Sequence, residues 1–195
     1  MSEVPETWRP RWAKPGITGS FGVSGHLLLT GAFEIGEADY WYYTPFFWRA
    51  EENGEVIFRE GHGGHDTGRG YLASVLRMLS KPVFFAAKLG LRLTSYEGTG
   101  VTHAPTGRPA TQVAVRGSLA GLAAAGTMAI DDETAIVLAV LVPGVPGPDP
   151  LIRIETTRFA VHDTMNAALF GAESLETPGY YSGYYYGPPE GPDPA

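Results

Sequence analysis

The chain of 195 residues is long enough for one domain with a hydrophobic core of its own. A content of 44% hydrophobic and 18% charged residues excludes a chain that is disordered throughout. The formal net charge of -7 argues against binding nucleic acid or an anionic membrane through a broad basic surface. Because there is no cysteine, disulfides, thiolate nucleophiles and iron–sulfur ligation are excluded, and a metal site would need His, Asp or Glu.

The first segment, residues 1–16, is predicted to be an extended arm, since it carries three prolines and two tryptophans. It has no apolar run of signal-peptide length, so the expected location is the cytoplasm. The apolar stretch at residues 113–142 is interrupted by Arg116 and by the acidic residues 131–133. Its pieces are too short for a transmembrane segment, and a buried hairpin is expected instead.

The central segment, residues 17–177, is predicted to be a single α+β, β-dominated domain, because the 26 glycines and 16 prolines of the whole chain favour turns over long helices. We expect a strongly curved antiparallel sheet or a small β-barrel of about seven or eight strands, with two or three short helices. Alternating or β-branched and aromatic runs predict strands at residues 26–35, 40–50, 55–59, 108–118, 126–130, 134–142 and 151–161.

Turn and helix signals divide this domain. Asn53-Gly54 is typical of a hairpin between the two strands that flank it. Apolar residues recur at helical spacing from Tyr71 to Leu79, and Pro82 is expected to end or kink that helix. Residues 83–93 are compatible with either a short helix or a strand, because their apolar residues show no clear period. A short terminal helix is predicted over residues 163–175.

A glycine-rich turn holds the densest group of chemically active side chains: Glu60, His62, His65, Asp66 and Arg69. One hypothesis makes His62 and His65 metal ligands, with Asp66 as a third ligand or supporting partner. A second makes the two histidines, Asp66 and Glu60 a metal-free acid–base site, with Arg69 binding the ligand. The alternative is a solvated turn in which Asp66 caps the following helix.

The aromatic run at residues 40–48 is the second candidate site. On a strand, Tyr40 and Tyr42 would share one face, and together with Trp48 and His26 they could line a cavity for a flat or hydrophobic ligand. The same residues could equally form a packed aromatic core. His103 and His162, in a predicted loop and beside a predicted helix cap, are weaker candidates.

The function predicted from these features is binding of a hydrophobic, aromatic, lipid-like or polyketide-like small molecule in an aromatic-lined barrel pocket. Catalysis is left open: an enzyme of this kind would be a metal-free acid–base cyclase or isomerase, or a histidine-dependent metal enzyme. No cofactor can be named. Motifs of α/β-hydrolases, P-loop proteins and dinucleotide-binding folds do not occur in the sequence.

The final segment, residues 178–195, contains five tyrosines, five prolines and four glycines in low-complexity sequence. It is predicted to be a flexible tail. The alternative function follows from it: a structural or interaction protein that assembles with a partner, or with itself as a homo-oligomer, through this tail and the N-terminal arm.

Overall fold

The computed structural model describes residues 21–31, 35–44, 47–61, 64–66, 71–119, 121–144 and 150–176, with backbone alone at 64–66, 71 and 95–100. These residues form a β-dominated structure, which confirms the predicted class. The strands are β1 (Gly22–Gly31), β2 (Gly36–Tyr43), β3 (Phe47–Glu52), β4 (Glu55–Gly61), β5 (Gly64–Asp66), β6 (Leu91–His103), β7 (Arg108–Leu119), β8 (Leu122–Asp131), β9 (Val137–Val142) and β10 (Ile152–His162). The helices are α1 (Tyr71–Leu76), α2 (Pro82–Lys88) and a 3₁₀ helix (Ala167–Phe170). The predicted arm and tail, residues 1–16 and 178–195, lie outside the described residues.

All ten strands belong to one antiparallel sheet in the order β5-β4-β3-β2-β1-β10-β9-β8-β7-β6. The first five strands run from the centre to one edge, and the last five return from the other edge until β10 pairs with β1. A barrel would require β5 to pair with β6, but these strands are at opposite edges. Of the two predicted alternatives, the antiparallel sheet is confirmed and the closed barrel is not: the sheet is open, and α1 and α2 connect its two edges.

The predicted strand number was too low for three physical reasons. The run predicted as one strand at residues 40–50 is two strands, β2 and β3, which pair antiparallel with each other. β6 is 13 residues long, but three register irregularities in its pairing with β7 break the alternation that identifies a strand. β5 has only three residues and lies within the sequence that was predicted to be a glycine-rich turn. Pro82 does not end a helix; it begins α2, where its missing N–H has no helical partner to lose.

The hairpin predicted at Asn53-Gly54 is confirmed. It joins β3 to β4, and both residues have positive φ, 52° and 79°. Two successive positive φ values are the signature of the type I′ turn, whose twist matches that of the flanking strands.

The core lies between the sheet and the helices. Across four neighbouring strands, Val113, Met128, Val140 and Ile154 are paired in one row, and all four are buried. Leucine and phenylalanine side chains of α1, α2 and the residues that follow each of them join the same cluster: Leu72, Leu76, Leu79, Phe85 and Leu89. Burial of this apolar surface is the main stabilising contribution to such a fold. Within the described part of the chain, no helix has the length and apolarity needed to cross a membrane.

The 3₁₀ helix packs against the opposite face of β3 and β4. Phe170 contacts Phe47 with ring centroids 5.7 Å apart, and Arg49 Nη1 donates to the Leu169 carbonyl at 2.9 Å. Asn166 caps the helix by accepting from the Ala168 N–H. The predicted C-terminal helix is thus present, but it is shorter than predicted and of the 3₁₀ type.

Candidate functional site

The glycine-rich turn is described only in part. Glu60, on β4, forms an ion pair with Arg77 Nε at 3.0 Å, and the Arg77 guanidinium lies 5.6 Å from the centre of the Phe58 ring. In the β4–β5 ladder, Glu60 pairs with His65. The predicted site residues His62 and Arg69 lie outside the described residues, as do the side chains of His65 and Asp66. Among the described side chains, no group of three His, Asp or Glu residues could hold a metal ion; the metal and acid–base hypotheses stay predictions.

The three aromatic candidates on β2 and β3, Tyr40, Tyr42 and Trp48, lie in the core. Tyr40, Tyr42 and Trp48 are 0%, 1% and 4% exposed, and the rings of Tyr42 and Trp48 stack with centroids 4.3 Å apart. The Tyr40 ring lies across Gly25, where an added Cβ would be 2.5 Å from the tyrosine oxygen. Burial raises the pKa of Tyr40, so its hydroxyl is neutral. The structure thus shows these rings packing against one another, and their ligand-binding role stays a prediction.

His26 lies on the other face of the sheet from Tyr40. It pairs in register with Asp39, whereas the adjacent residue Gly25 pairs with Tyr40. Its Nδ1 is 2.9 Å from Asp39 Oδ1, and Arg158 Nη2 donates to the same carboxylate oxygen at 2.8 Å. The structure therefore does not bring His26 together with the three aromatic side chains.

Asp131 organises the turn between β8 and β9. Its fully buried carboxylate accepts from Arg108 Nε at 2.7 Å and from both the N–H and the hydroxyl of Thr134 at 2.8 Å. The hydrogen bond to Asp131 also raises the pKa of Arg108 further above its ordinary value. The sequence predicted that the acidic residues 131–133 join two strands; in the structure Asp131 is the last residue of β8, and Asp132 and Glu133 lie in the turn that follows. The sequence did not predict that Asp131 is buried.

A groove crosses the face of β7–β10 that points away from α1 and α2. Its floor follows from the register: Gln112, Ala129, Ala139 and Glu155 are paired across the four strands, one residue out of phase with the buried row. Because successive side chains on a strand point to opposite faces, this row lies on the face that the helices do not cover. Two alanines at its centre leave space where larger side chains would fill it.

The groove has a volume of about 460 Å³, within the range of small-molecule sites. Residues 101–105, at the end of β6 and in the following turn, form the wall on one side of the groove. Leu141 on β9 and Arg153 on β10 lie on the other side. Arg153 Nη2 and Glu155 Oε2 form an ion pair at 2.6 Å, so their charges compensate each other. Most of the remaining described lining is alanine, valine, leucine or isoleucine.

His103 is the buried polar residue of the groove wall. It is 8% exposed, its Nδ1 lies 2.8 Å from the Thr106 hydroxyl, and its Nε2 is buried without a hydrogen-bond partner among the described residues. Burial lowers the pKa of His103, opposed in part by the negative charge of Glu155, so the imidazole is neutral near pH 7. Sequence reasoning treated His103 as a loop histidine because β6 was not predicted.

A hydrogen-bonded serine–histidine pair lies elsewhere on the sheet. Ser24 Oγ is 2.8 Å from His162 Nε2, a geometry that resembles a nucleophile and its base. Among the described residues, however, no carboxylate hydrogen-bonds to the other nitrogen of His162. Without that orienting group, the Ser24–His162 pair is a cross-strand hydrogen bond between β1 and β10.

Comparison with known proteins gives no family. No family model matches the chain, and no curated protein matches it significantly. A crystal structure of MucB in complex with MucA(peri) is similar at 15% identity and a TM-score of 0.40, covering 79% of this chain and 55% of that one. A crystal structure of MucB has 14% identity and a TM-score of 0.36, covering 84% and 61%. The Pseudomonas aeruginosa MucA/MucB complex has 14% identity and a TM-score of 0.38, covering 76% and 55%. The chain spans less than two thirds of the length of these structures, and similarity this low carries no argument about function.

Proposed function

We propose that the protein binds a neutral, largely apolar small molecule in the groove across β7–β10. The observation that carries this proposal is the groove itself: about 460 Å³ of space above a floor built from the alanines of β8 and β9. Sites that bind small molecules are concave and mostly apolar, with a few polar groups that fix orientation. The groove has each of these properties.

The charges of the groove support a neutral ligand. Arg153 and Glu155, the charged residues among its described lining, are already paired at 2.6 Å. An anionic ligand would have to compete with Glu155 for Arg153, and a cationic ligand would have to compete with Arg153 for Glu155. A neutral molecule avoids both competitions and loses little hydration on entry.

This proposal keeps the ligand class that the sequence predicted and moves the site. Tyr40, Tyr42 and Trp48 pack in the core between sheet and helices, whereas the groove lies on the opposite face and is lined mostly by aliphatic residues. The alternative, assembly through the arm and tail, rests on residues outside the described part of the chain, so no structural observation favours it.

The test uses a matched pair of substitutions on β8. Ala129 lies in the groove floor, and Ala125 lies on the same face four residues away, exposed and outside the groove lining. Titration with N-phenyl-1-naphthylamine, a neutral apolar dye that fluoresces when shielded from water, measures binding to the full chain. We expect saturable binding to the parent and to Ala125→Phe, and at least a roughly tenfold weaker Kd for Ala129→Phe, which fills the floor.

Two results would overturn the proposal: no saturable binding to the parent protein, or equal Kd values for the two phenylalanine variants. Circular dichroism and thermal unfolding of both variants establish that each retains the fold of the parent.

A further inference from the structure

Gln112 lies in the groove floor with an amide that no directly adjacent side chain satisfies. Its side chain is half-buried and makes no hydrogen bond to any described residue. The register explains this, because Gln112 pairs with Gly98 on β6 and with Ala129 on β8. Along β7, the next residues on the same face are Ala110 and Ala114. Glycine and alanine carry no polar side-chain atom, so the amide is left for the occupant of the groove.

The amide and the charged pair of the groove lie at opposite ends of the floor. The row Gln112–Ala129–Ala139–Glu155 crosses four strands, a distance of about 14 Å at the usual spacing between strands. Arg153, the partner of Glu155, lies on the same strand as Glu155. An apolar ligand lying over the two alanines therefore brings one end against Gln112 and away from both charges.

The two kinds of polar group on the amide determine which ligand end fits it. Glutamine has two N–H donors and a carbonyl acceptor. A ligand that covers the amide removes its hydration, and each donor or acceptor left without a partner then opposes binding. A ketone has acceptors alone, so it leaves the carbonyl of Gln112 unpaired. A primary amide or a lactam presents an N–H and a C=O side by side and pairs with both.

We infer that Gln112 is the specificity-determining residue of the groove, and that its amide selects neutral ligands whose polar end is a primary amide or a lactam. This inference rests on the proposed function, since it requires the groove to be the binding site. Thr127 supports it, because this lining residue lies diagonally across from Gln112 and its hydroxyl has no hydrogen-bond partner among the described residues. Two uncharged polar groups thus face the same end of the groove.

The test uses three ligands of nearly the same shape. The first, 2-naphthamide, has a donor and an acceptor, 2-acetylnaphthalene has an acceptor alone, and 2-isopropenylnaphthalene has neither. Calorimetric titration of the full chain and of Gln112→Leu gives each affinity relative to that of the hydrocarbon. Comparing these ratios between the two proteins cancels the difference in hydration between the ligands. We expect the parent's ketone ratio to be about 2- to 12-fold higher and its amide ratio about 5- to 150-fold higher, the effects of one and two hydrogen bonds.

The matched variant is Gln112→Glu, which keeps the shape of glutamine and an acceptor but has no donor when ionised, as glutamate ordinarily is near pH 7. We expect the ketone to lose its advantage over the hydrocarbon in this variant. The amide should keep an advantage, because its N–H still donates to the carboxylate. A purely structural role of Gln112 would not separate these two ligands.

A spectroscopic measurement on the parent needs no variant. Gln112 is the only glutamine of the chain, so glutamine-selective ¹⁵N labelling isolates its side-chain N–H signals. We expect one of these signals to lie further downfield in the complexes with 2-naphthamide and 2-acetylnaphthalene than in the complex with the hydrocarbon. The naphthalene ring is common to all three ligands, so the difference reports the hydrogen bond.

The outcomes separate the two claims. If none of the three ligands binds the parent, the proposed function fails and this inference fails with it. If they bind with the same affinity ratios in the parent and in Gln112→Leu, the groove stands as a binding site and the role of Gln112 is overturned. A parent amide ratio that exceeds the variant's by no more than the ketone ratio does overturns the selection of amides. If Gln112→Leu does not fold, identical Gln112 N–H signals in the three complexes overturn the inference.

Discussion

The two faces of β7–β10 differ in the size of their side chains although they alternate on the same strands. The row Val113–Met128–Val140–Ile154 is buried beneath the helices, and the row beside it, Gln112–Ala129–Ala139–Glu155, forms the floor of the groove. Large side chains fill the covered face, whereas two alanines leave the space of the groove on the other face. The comparison shows that one strand pattern can supply both a packed core and a binding surface.

The largest expected effect is on stability, and it compares the two faces of the β2–β3 pair. Trp48 is buried in the core, whereas Trp41 is half-buried on the other face of the same strand pair. We expect Trp48→Ala to lower the free energy of unfolding by about 3–5 kcal/mol. Trp41→Ala should cost clearly less, and urea denaturation of the two variants measures both. Equal losses would mean that the face of β2–β4 away from α1 and α2 is packed as tightly as the core.

The second prediction concerns the buried carboxylate at the end of β8. Asp131→Ala removes the partner of Arg108 and the acceptor for Thr134, and should destabilise the fold by on the order of 3 kcal/mol. Glu133→Ala removes the exposed carboxylate that contacts the same Arg108, and should cost less than about 1 kcal/mol. Similar values in chemical denaturation would show that Asp131 is more hydrated than its burial indicates.

The third and smallest effect is the pH dependence that His103 confers. Its pKa is lowered in the folded protein relative to about 6.5 in the unfolded chain. Below that value the unfolded chain therefore binds the proton more readily than the folded protein, and stability falls as the pH falls. His103→Gln, which cannot titrate, should lose less stability between about pH 7.5 and about pH 5 than the parent. Identical pH profiles from urea denaturation would contradict a neutral, buried imidazole.

Much of the fold could be predicted from local sequence. The Asn53-Gly54 turn, the alternation of residues 151–161 and the apolar runs of β7 and β9 each carry a signal that depends on near neighbours alone. The openness of the sheet could not be predicted, because it depends on whether two edge strands, β5 and β6, meet in space. Nothing in either strand encodes that.

The candidate site was harder to predict for a related reason. The sequence draws attention to dense groups of aromatic and ionisable residues, and the aromatic candidates Tyr40, Tyr42 and Trp48 lie in the core. The groove depends on small residues, Ala129 and Ala139, which become neighbours only through the register of β8 and β9. His103 joins them because the end of β6 forms the groove wall. The useful signal was the small side chains on alternate positions of adjacent strands, and it has meaning only once the register is known.

The most direct test of the account is the location of a bound ligand. In a protein labelled at its alanine methyl groups, titration with 2-acetylnaphthalene should shift the resonances of Ala110, Ala129 and Ala139 in a saturable way. The methyl resonances of Ala125 and Ala160 should not shift, because both residues are exposed and lie outside the groove lining. Saturable shifts at Ala38 and Ala50 instead, which lie in the core with Tyr40, would place the ligand in the aromatic core and contradict the account.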